Sequence, residues 1–180
     1  MAVLIEAISV IVRRDALLKS FGNNWERFKQ TVPNETMCAD DELIRVGFMT
    51  PQDVKHYVNM LQAKGLKHLQ DGKDTDVVVV DQMHGPLSPC DWIEFGHVSL
   101  DGNAQKRIAV CRLKGSALIT VMTPDGWQFE SSLSASYSFV PSGATEKALK
   151  FLRNENGLDV YWSTLSGKEV YVGRTNRETS

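Results

Sequence analysis

The chain has 180 residues, 42% hydrophobic and 23% charged, with 20 basic and 22 acidic side chains and a formal charge of -2. A chain of this size buries roughly 70% of the surface its unfolded form exposes, so neither metal nor disulfides are needed to hold a core. The basic residues are scattered (Arg13 and Arg14, Lys64 and Lys67, Lys106 and Arg107) and offer no broad positive face, so nucleic acid is not an expected partner.

The N-terminal run MAVLIEAISVIVRR has no basic residue before its apolar stretch, carries Glu6 inside it and lacks a small-residue cleavage site after it. It is also too short to span a bilayer, so neither a leader nor a membrane anchor is expected. The Val and Ile content of residues 3–12 predicts a strand buried on both faces. Cys38, Cys90 and Cys111 are odd in number, far apart and form no C-x-x-C pair, which suits reduced thiols and a cytoplasmic location.

In DALLKSFGNNWERFKQTVP, Phe21, Trp25, Phe28 and Val32 line one helical face. Gly22, Asn23 and Asn24 interrupt it, with an asparagine capping a second helical piece. ELIRVGFM alternates as a strand. In MTPQDVKHYVNMLQAKGL, Thr50 is the expected N-cap, Pro51 the first helical residue and Asp53 a favourable charge in the first turn. Val54, Tyr57, Val58 and Leu61 form the predicted buried stripe, and Gly65 the left-handed stop. A polar turn, QDGKDTD, then leads into the strand VVVVDQ. This strand-helix-strand unit suggests a right-handed crossover if the two strands are parallel neighbours.

From Trp92 the apolar period becomes two. WIEFGHVSL, KRIAVCRL, ALITVMT and WQFESSL are separated by DGN, KGS and PDG, which predicts an antiparallel meander. A last helix is expected over 144–153 on the spacing of Ala148, Leu149 and Leu152. A hairpin in LDVYWSTLSGKEVYVGR follows, with Gly167 suited to a bulged turn. The sequence therefore describes one α+β domain over 1–174, with a mainly antiparallel sheet, an N-terminal strand-helix-strand unit and a C-terminal helix plus hairpin. Residues 175–180 form a polar, frayed tail.

Reactive residues crowd most densely in DQMHGPLSPCDW, residues 81–92. Read as chemistry, His84 and Cys90 are a base and a thiol nucleophile, with Asp81 or Asp91 orienting the imidazole. Against that reading, Cys90 follows a proline, precedes Asp91 and leads into a strand, whereas an activated thiolate needs a helix N-terminus or a cationic neighbour. Pro86 and Pro89 make a stiff surface loop the favoured reading. A metal held by His84 and His97, with Cys90 and Asp91 nearby, matches no zinc spacing. In CADDE, residues 38–42, the three acids read as a solvated loop, with an acidic surface for a basic partner left open.

Trp92, Tyr161 and Trp162 lie on predicted strands. Because Tyr161 and Trp162 are adjacent, they point to opposite faces, and one of them is offered to a partner unless both faces are covered. There is no G-x-G-x-x-G, no G-x-x-x-x-G-K-[ST] and no G-x-S-x-G, so no cofactor is expected and nucleotide and serine-hydrolase chemistry are disfavoured. The functional expectation is a non-catalytic module that binds a protein partner, or a second copy of itself as a homodimer, through Trp92, Tyr161, Trp162 or the 81–97 region. Inhibitor and immunity-type proteins are one kind with this size and charge. The alternative is a small thiol- or metal-dependent enzyme built on the 81–97 segment.

Overall fold

The computed structural model describes residues 1–117, 120–137, 149–155, 158–163 and 168–173, with side chains described for 1–117 and 120–135. The fold is α+β, and its sheets are antiparallel except for one pairing.

The N-terminal apolar run is two strands rather than one, β1 (Ala2–Ile5) and β2 (Ile8–Arg13), and they belong to different sheets. The break falls at Glu6 and Ala7, where Ala7 takes a left-handed backbone (φ 51°). That conformation is costly for a residue with a Cβ. Gln82 supports it from both sides: its side-chain oxygen accepts the Ala7 N–H at 2.8 Å, and its own N–H donates to the Ala7 carbonyl at 2.9 Å.

Two short helices follow β2, α1 (Arg14–Ser20) and α2 (Trp25–Lys29), separated at residues 21–24. Asn24 caps the second, its side chain accepting the Arg27 N–H at 3.0 Å. After β3 (Cys38–Ala39) and β4 (Leu43–Phe48) comes α3 (Pro51–Ala63), capped by Thr50, whose hydroxyl accepts the Asp53 N–H. Val54, Tyr57, Val58 and Leu61 are its buried residues, and Gly65 stops it with φ 96°. Val54, Val58 and Leu61 each contribute about 1.5–3 kcal/mol by leaving water. A small hairpin, β5 (Leu69–Gln70) and β6 (Lys73–Asp74), then leads to β7 (Val77–Asp81) and β8 (Gly85–Pro86).

The first large sheet has the order β3-β4-β2-β7-β8. The strands β4 and β7 on either side of α3 run parallel to each other but are not neighbours, because β2 lies between them and is antiparallel to both. Period-two alternation then sorts the side chains. Val10, Val12, Ile44, Val46, Val77 and Val79 pack with α1, α2 and α3, while Ile11, Leu43, Val78 and Val80 pack on a second sheet. Both faces are covered, so the valine run shows no polar alternation.

The second sheet has the order β11-β1-β10-β9, built from β9 (Ile93–Ser99), β10 (Arg107–Leu113) and β11 (Val121–Met122). The first two form the expected hairpin, with Cys111 opposite Phe95. The expected meander ends there. β11 is only two residues long and pairs in parallel with β1. WQFESSL is not a strand either: Phe129–Ser131 is a single 3₁₀ turn and α4 covers Leu133–Tyr137.

A third sheet has the order β12-β13-β14, from β12 (Leu149–Glu155), β13 (Leu158–Ser163) and β14 (Lys168–Gly173). The predicted C-terminal hairpin is β13–β14. Residues 149–153, however, are strand and not helix, residues 144–148 of the expected helix lie outside the described residues, and α4 is a different segment. Gly167 lies outside the described residues. Among the described residues no helix is long and apolar enough to cross a membrane.

Candidate functional site

The 81–92 stretch begins where β7 ends. One carboxylate oxygen of Asp81 accepts the backbone N–H groups of Met83 and His84 and meets His84 Nδ1, each at 2.9 Å. A carboxylate two or three residues before the amides it accepts is a turn-forming device. The chain then folds back as β8, with Gly85 opposite Asp81 and Pro86 opposite Val80. Gly85 has φ 84°, and a Cβ there would press into the Phe95 ring.

Asp74, at the end of β6, anchors the far half of the loop. Ser88 Oγ donates to its carboxylate at 3.0 Å, its N–H donates to the Pro89 carbonyl at 2.9 Å, and its carbonyl accepts the Trp92 indole N–H at 3.1 Å. His68 Nε2 stands 3.2 Å from Asp74 Oδ1, within ion-pair distance but out of line for a hydrogen bond. Burial raises the Asp74 pKa, while Ser88 and His68 pull it down. The loop is thus held by two carboxylates and a short strand pairing as well as by its prolines.

This arrangement does not bring the expected catalytic groups together. His84 is exposed and engaged with Asp81, and among the described residues no hydrogen bond joins it to Cys90. Burial raises the Cys90 pKa; the amides of Trp92 and Ile93 lower it in part, and Asp74 and Asp91 push it further up. Its thiol is the opposite of an activated nucleophile. Asp91 is exposed, 3.9 Å from the Lys73 ammonium. His97 packs edge-on against Phe95 with ring centroids 5.3 Å apart. Burial and then Arg107 lower its pKa, against a backbone contact from Gln82. Among the described residues no three His, Cys, Asp or Glu side chains converge to hold a metal, at His84 and His97 or elsewhere.

Trp92 is not an exposed anchor. It is 5% exposed, with the Arg13 guanidinium 4.7 Å above its ring and its N–H given to Asp74. A tryptophan leading from a loop into a strand reads equally well as surface or core until the opposing layer is known. Tyr161 and Trp162 sit opposite Phe151 and Lys150 in the β12–β13 pairing, and their side chains lie outside the described residues. In CADDE, Asp40 is buried and its carboxylate accepts the N–H groups of Glu42 and Leu43, both at 2.7 Å, so it shapes a turn.

Comparison with protein-family models, with curated proteins and with solved structures returns no match for this chain.

Two features escape sequence reasoning. One is a buried polar hub where the two large sheets meet. The Arg45 guanidinium is fully buried and donates to Ser9 Oγ (2.9 Å), the Thr36 carbonyl (2.8 Å) and the Glu6 carbonyl (2.9 Å). The Glu6 carboxylate in turn accepts the Trp127 indole N–H and both donors of Ser134. A cavity of about 440 Å³ opens beside this hub, reaching Glu35, Phe48 and Asp125. The only sequence sign of it is a charged residue inside each of two apolar runs, Glu6 in the first and Arg45 in the one that becomes β4.

The other is a groove of about 320 Å³ between α3 and the 81–92 loop, lined by Ile8, Val54, Val58, Val79, His68 and Leu87, among others. Leu87 at its edge is 63% exposed, and among the described residues only Met1 and Leu69 are other large hydrophobic side chains in contact with solvent to a comparable degree.

Proposed function

We propose that this chain is a non-catalytic protein-binding module and that the α3 groove receives an apolar side chain of the partner. The observation that carries this reading is Leu87, an exposed leucine held rigid at the lip of an apolar groove. Its own N–H donates to the Val79 carbonyl at 3.0 Å, and its neighbour Ser88 is tied to Asp74. An apolar contact presented in a fixed position loses little ordering entropy on binding, which is how small interfaces gain affinity. Strand addition is a poorer mode, because the edge strands β3 and β8 of this sheet are two residues long and β8 contains Pro86.

The partner is a protein chain, with a second copy of this chain as the simplest case and an inhibitor or immunity-type role as one setting for a different one. The reading is supported by the spent state of the loop's reactive groups: Asp81 and Asp74 close turns, and Cys90 is held as a thiol. The test places a photo-crosslinking residue at position 87 and, as a control, at exposed Asn103. Adducts specific to position 87, lost when Asn59→Arg crowds the groove from the exposed side of α3, are the expected result. Equal labelling at both positions, together with a monomer by light scattering, would overturn it.

A further inference from the structure

The second sheet ends in an edge unlike those of the first. β9 is its outermost strand, seven residues long and without proline, and among the described residues no strand pairs with its outer side. The pairing with β10 shows which backbone groups look outward. One step beyond either end of that register, the Lys114 N–H donates to the Trp92 carbonyl at 2.9 Å and the Leu100 N–H to the Lys106 carbonyl at 2.7 Å. Hydrogen-bonded and non-hydrogen-bonded pairs alternate along an antiparallel ladder, so Glu94, Gly96 and Val98 bond to β10, while Ile93, Phe95, His97 and Ser99 turn their N–H and C=O groups outward.

The Ile93 amide faces the Cys90 sulfur. The backbone groups of Phe95, His97 and Ser99 have no partner on the outer side among the described residues. His97 and Ser99 are exposed, and the space a side chain at Gly96 would enter is open. Natural edges are blunted by bulges, proline or unpaired charge. β9 has no register shift, and its carboxylate, Glu94, is neutralised by Arg112 of β10 at 2.6 Å. Such an edge is a template for another strand.

We propose that β9 pairs antiparallel with β9 of a second copy, extending the second sheet across a two-fold axis at Gly96. In this register the whole strand overlaps its copy, whereas registers centred on Phe95 or His97 keep the same outward hydrogen bonds but overlap fewer residues. Phe95 lies opposite His97 of the second copy, so the free backbone groups of the two residues satisfy one another. The edge-on Phe95–His97 pair of each copy, with centroids 5.3 Å apart, meets its twin across the axis. Glu94 falls opposite Val98, so the carboxylate does not meet its own copy. Gly96 falls opposite itself in a pair of the closer, non-hydrogen-bonded type, where side chains crowd most and glycine brings none. The strand is thus self-complementary in the way an isologous interface requires. It shares no residue with the α3 groove.

The test combines sedimentation equilibrium of the full chain with cysteine pairing under diamide. The parent chain is expected to be a dimer at high micromolar concentration. In Gly96→Cys the two thiols would stand on residues about 4.5 Å apart across the axis, within reach of a disulfide, so a covalent dimer should form. Ser99→Cys, which faces Ile93 of the second copy, should form little. Val98→Glu sets two carboxylates opposite Glu94 of the other copy and should weaken the dimer about tenfold relative to Val98→Gln, which has the same size and no charge. A parent chain that remains monomeric would overturn the proposal, and so would equal cross-linking at positions 96 and 99 or equal dimer affinity in the two Val98 variants. A dimer that forms only through position 87 would overturn it while leaving the reading of the α3 groove in place.

Discussion

The indole N–H of Trp127 donates to the carboxylate of Glu6 at 2.9 Å, joining positions 121 residues apart. Ser134 completes the attachment, its N–H at 2.7 Å and its hydroxyl at 2.6 Å from the other carboxylate oxygen. A strand break near the N-terminus therefore holds down the segment that follows β11. The same residue's carbonyl receives Arg45, so both faces of the break are used.

Replacing Glu6 with Ala strands three donors and removes the negative partner of a buried arginine. We expect a loss of about 3 kcal/mol or more in the free energy of unfolding, since uncompensated buried charge is the costly outcome. Urea denaturation measures it. Glu6→Gln keeps the shape and one good acceptor, and should lose less than Glu6→Ala. If Glu6→Ala unfolds at the parent midpoint, the hub does not hold the segment.

Gly47 lies directly against the Arg45 guanidinium, and a Cβ at position 47 would overlap it. Gly47→Ala should therefore destabilise by about 1–3 kcal/mol, the usual cost of overpacking. Arg45→Met is expected to be destabilising alone, because three acceptors lose their donor. Combined with Gly47→Ala, however, the two should cost less than their sum. A double-mutant cycle reads the coupling, and strict additivity would show that the two groups do not collide.

Burial raises the Cys38 thiol from 9.0 to about 11, with Arg45 pulling the other way. The native state then holds its proton where the unfolded chain has lost it. The stability this contributes is whole below pH 9 and drains away as pH climbs through the window up to about 11. At pH 10.5 the parent chain should have lost about 2 kcal/mol relative to pH 8 through this group alone. Cys38→Ala should remove that part of the alkaline slope, as followed by urea unfolding across the range.

Asp74 is 3% exposed, and its pKa is raised because burial outweighs the help of Ser88 and His68. A raised carboxyl contributes stability below its unfolded value of 3.8 and loses it as pH rises through the folded value. Asp74→Asn carries no charge to bury. Its unfolding free energy should therefore gain on that of the parent chain as pH goes from 3 to 7. Asp74→Ala, which leaves Ser88 without its acceptor, should lose about 2 kcal/mol at pH 7. A parent chain that gains on Asp74→Asn with rising pH would reverse the assigned balance.

Labelling chemistry checks the reading of the loop. Burial holds Cys90 above its ordinary pKa and does so more strongly for Cys111. At pH 7.5 a thiol reagent should modify Cys90 more slowly than an unfolded cysteine peptide, and Cys111 only on unfolding. Rapid modification of Cys90 in the native chain would restore the case for a reactive thiol.

Helix α3 was legible residue by residue, because Thr50, Pro51 and Gly65 act within one turn of their own positions and the Val54–Leu61 stripe repeats at a helical period. The hairpin β9–β10 was legible for the same reason: its alternation and its turn are local. Residues 149–153 were not. The β12–β13 register shifts between Phe151 and Arg153, and an extra residue in a strand disrupts the alternation that marks strands, leaving a spacing that mimics a helix. WQFESSL alternates convincingly, yet Trp127 and Ser134 are drawn to Glu6 and the segment turns instead.

What the amino-acid order determined by itself was the α+β class, the capped helix, the burial of the Val- and Ile-rich run 3–12 on both faces and the absence of any nucleotide or serine-hydrolase fingerprint, all of which rest on short-range periodicity and turn chemistry. Only the tertiary structure decided that the first apolar run divides between two sheets, that Trp92 is core, that His84 belongs to Asp81 rather than to Cys90, and that Glu6 and Arg45 meet in one buried polar hub. Those outcomes depend on which layer comes to lie against which. Hydrophobic burial drives that choice without direction, and the buried charges of Glu6 and Arg45 then restrict it to the arrangement that satisfies them.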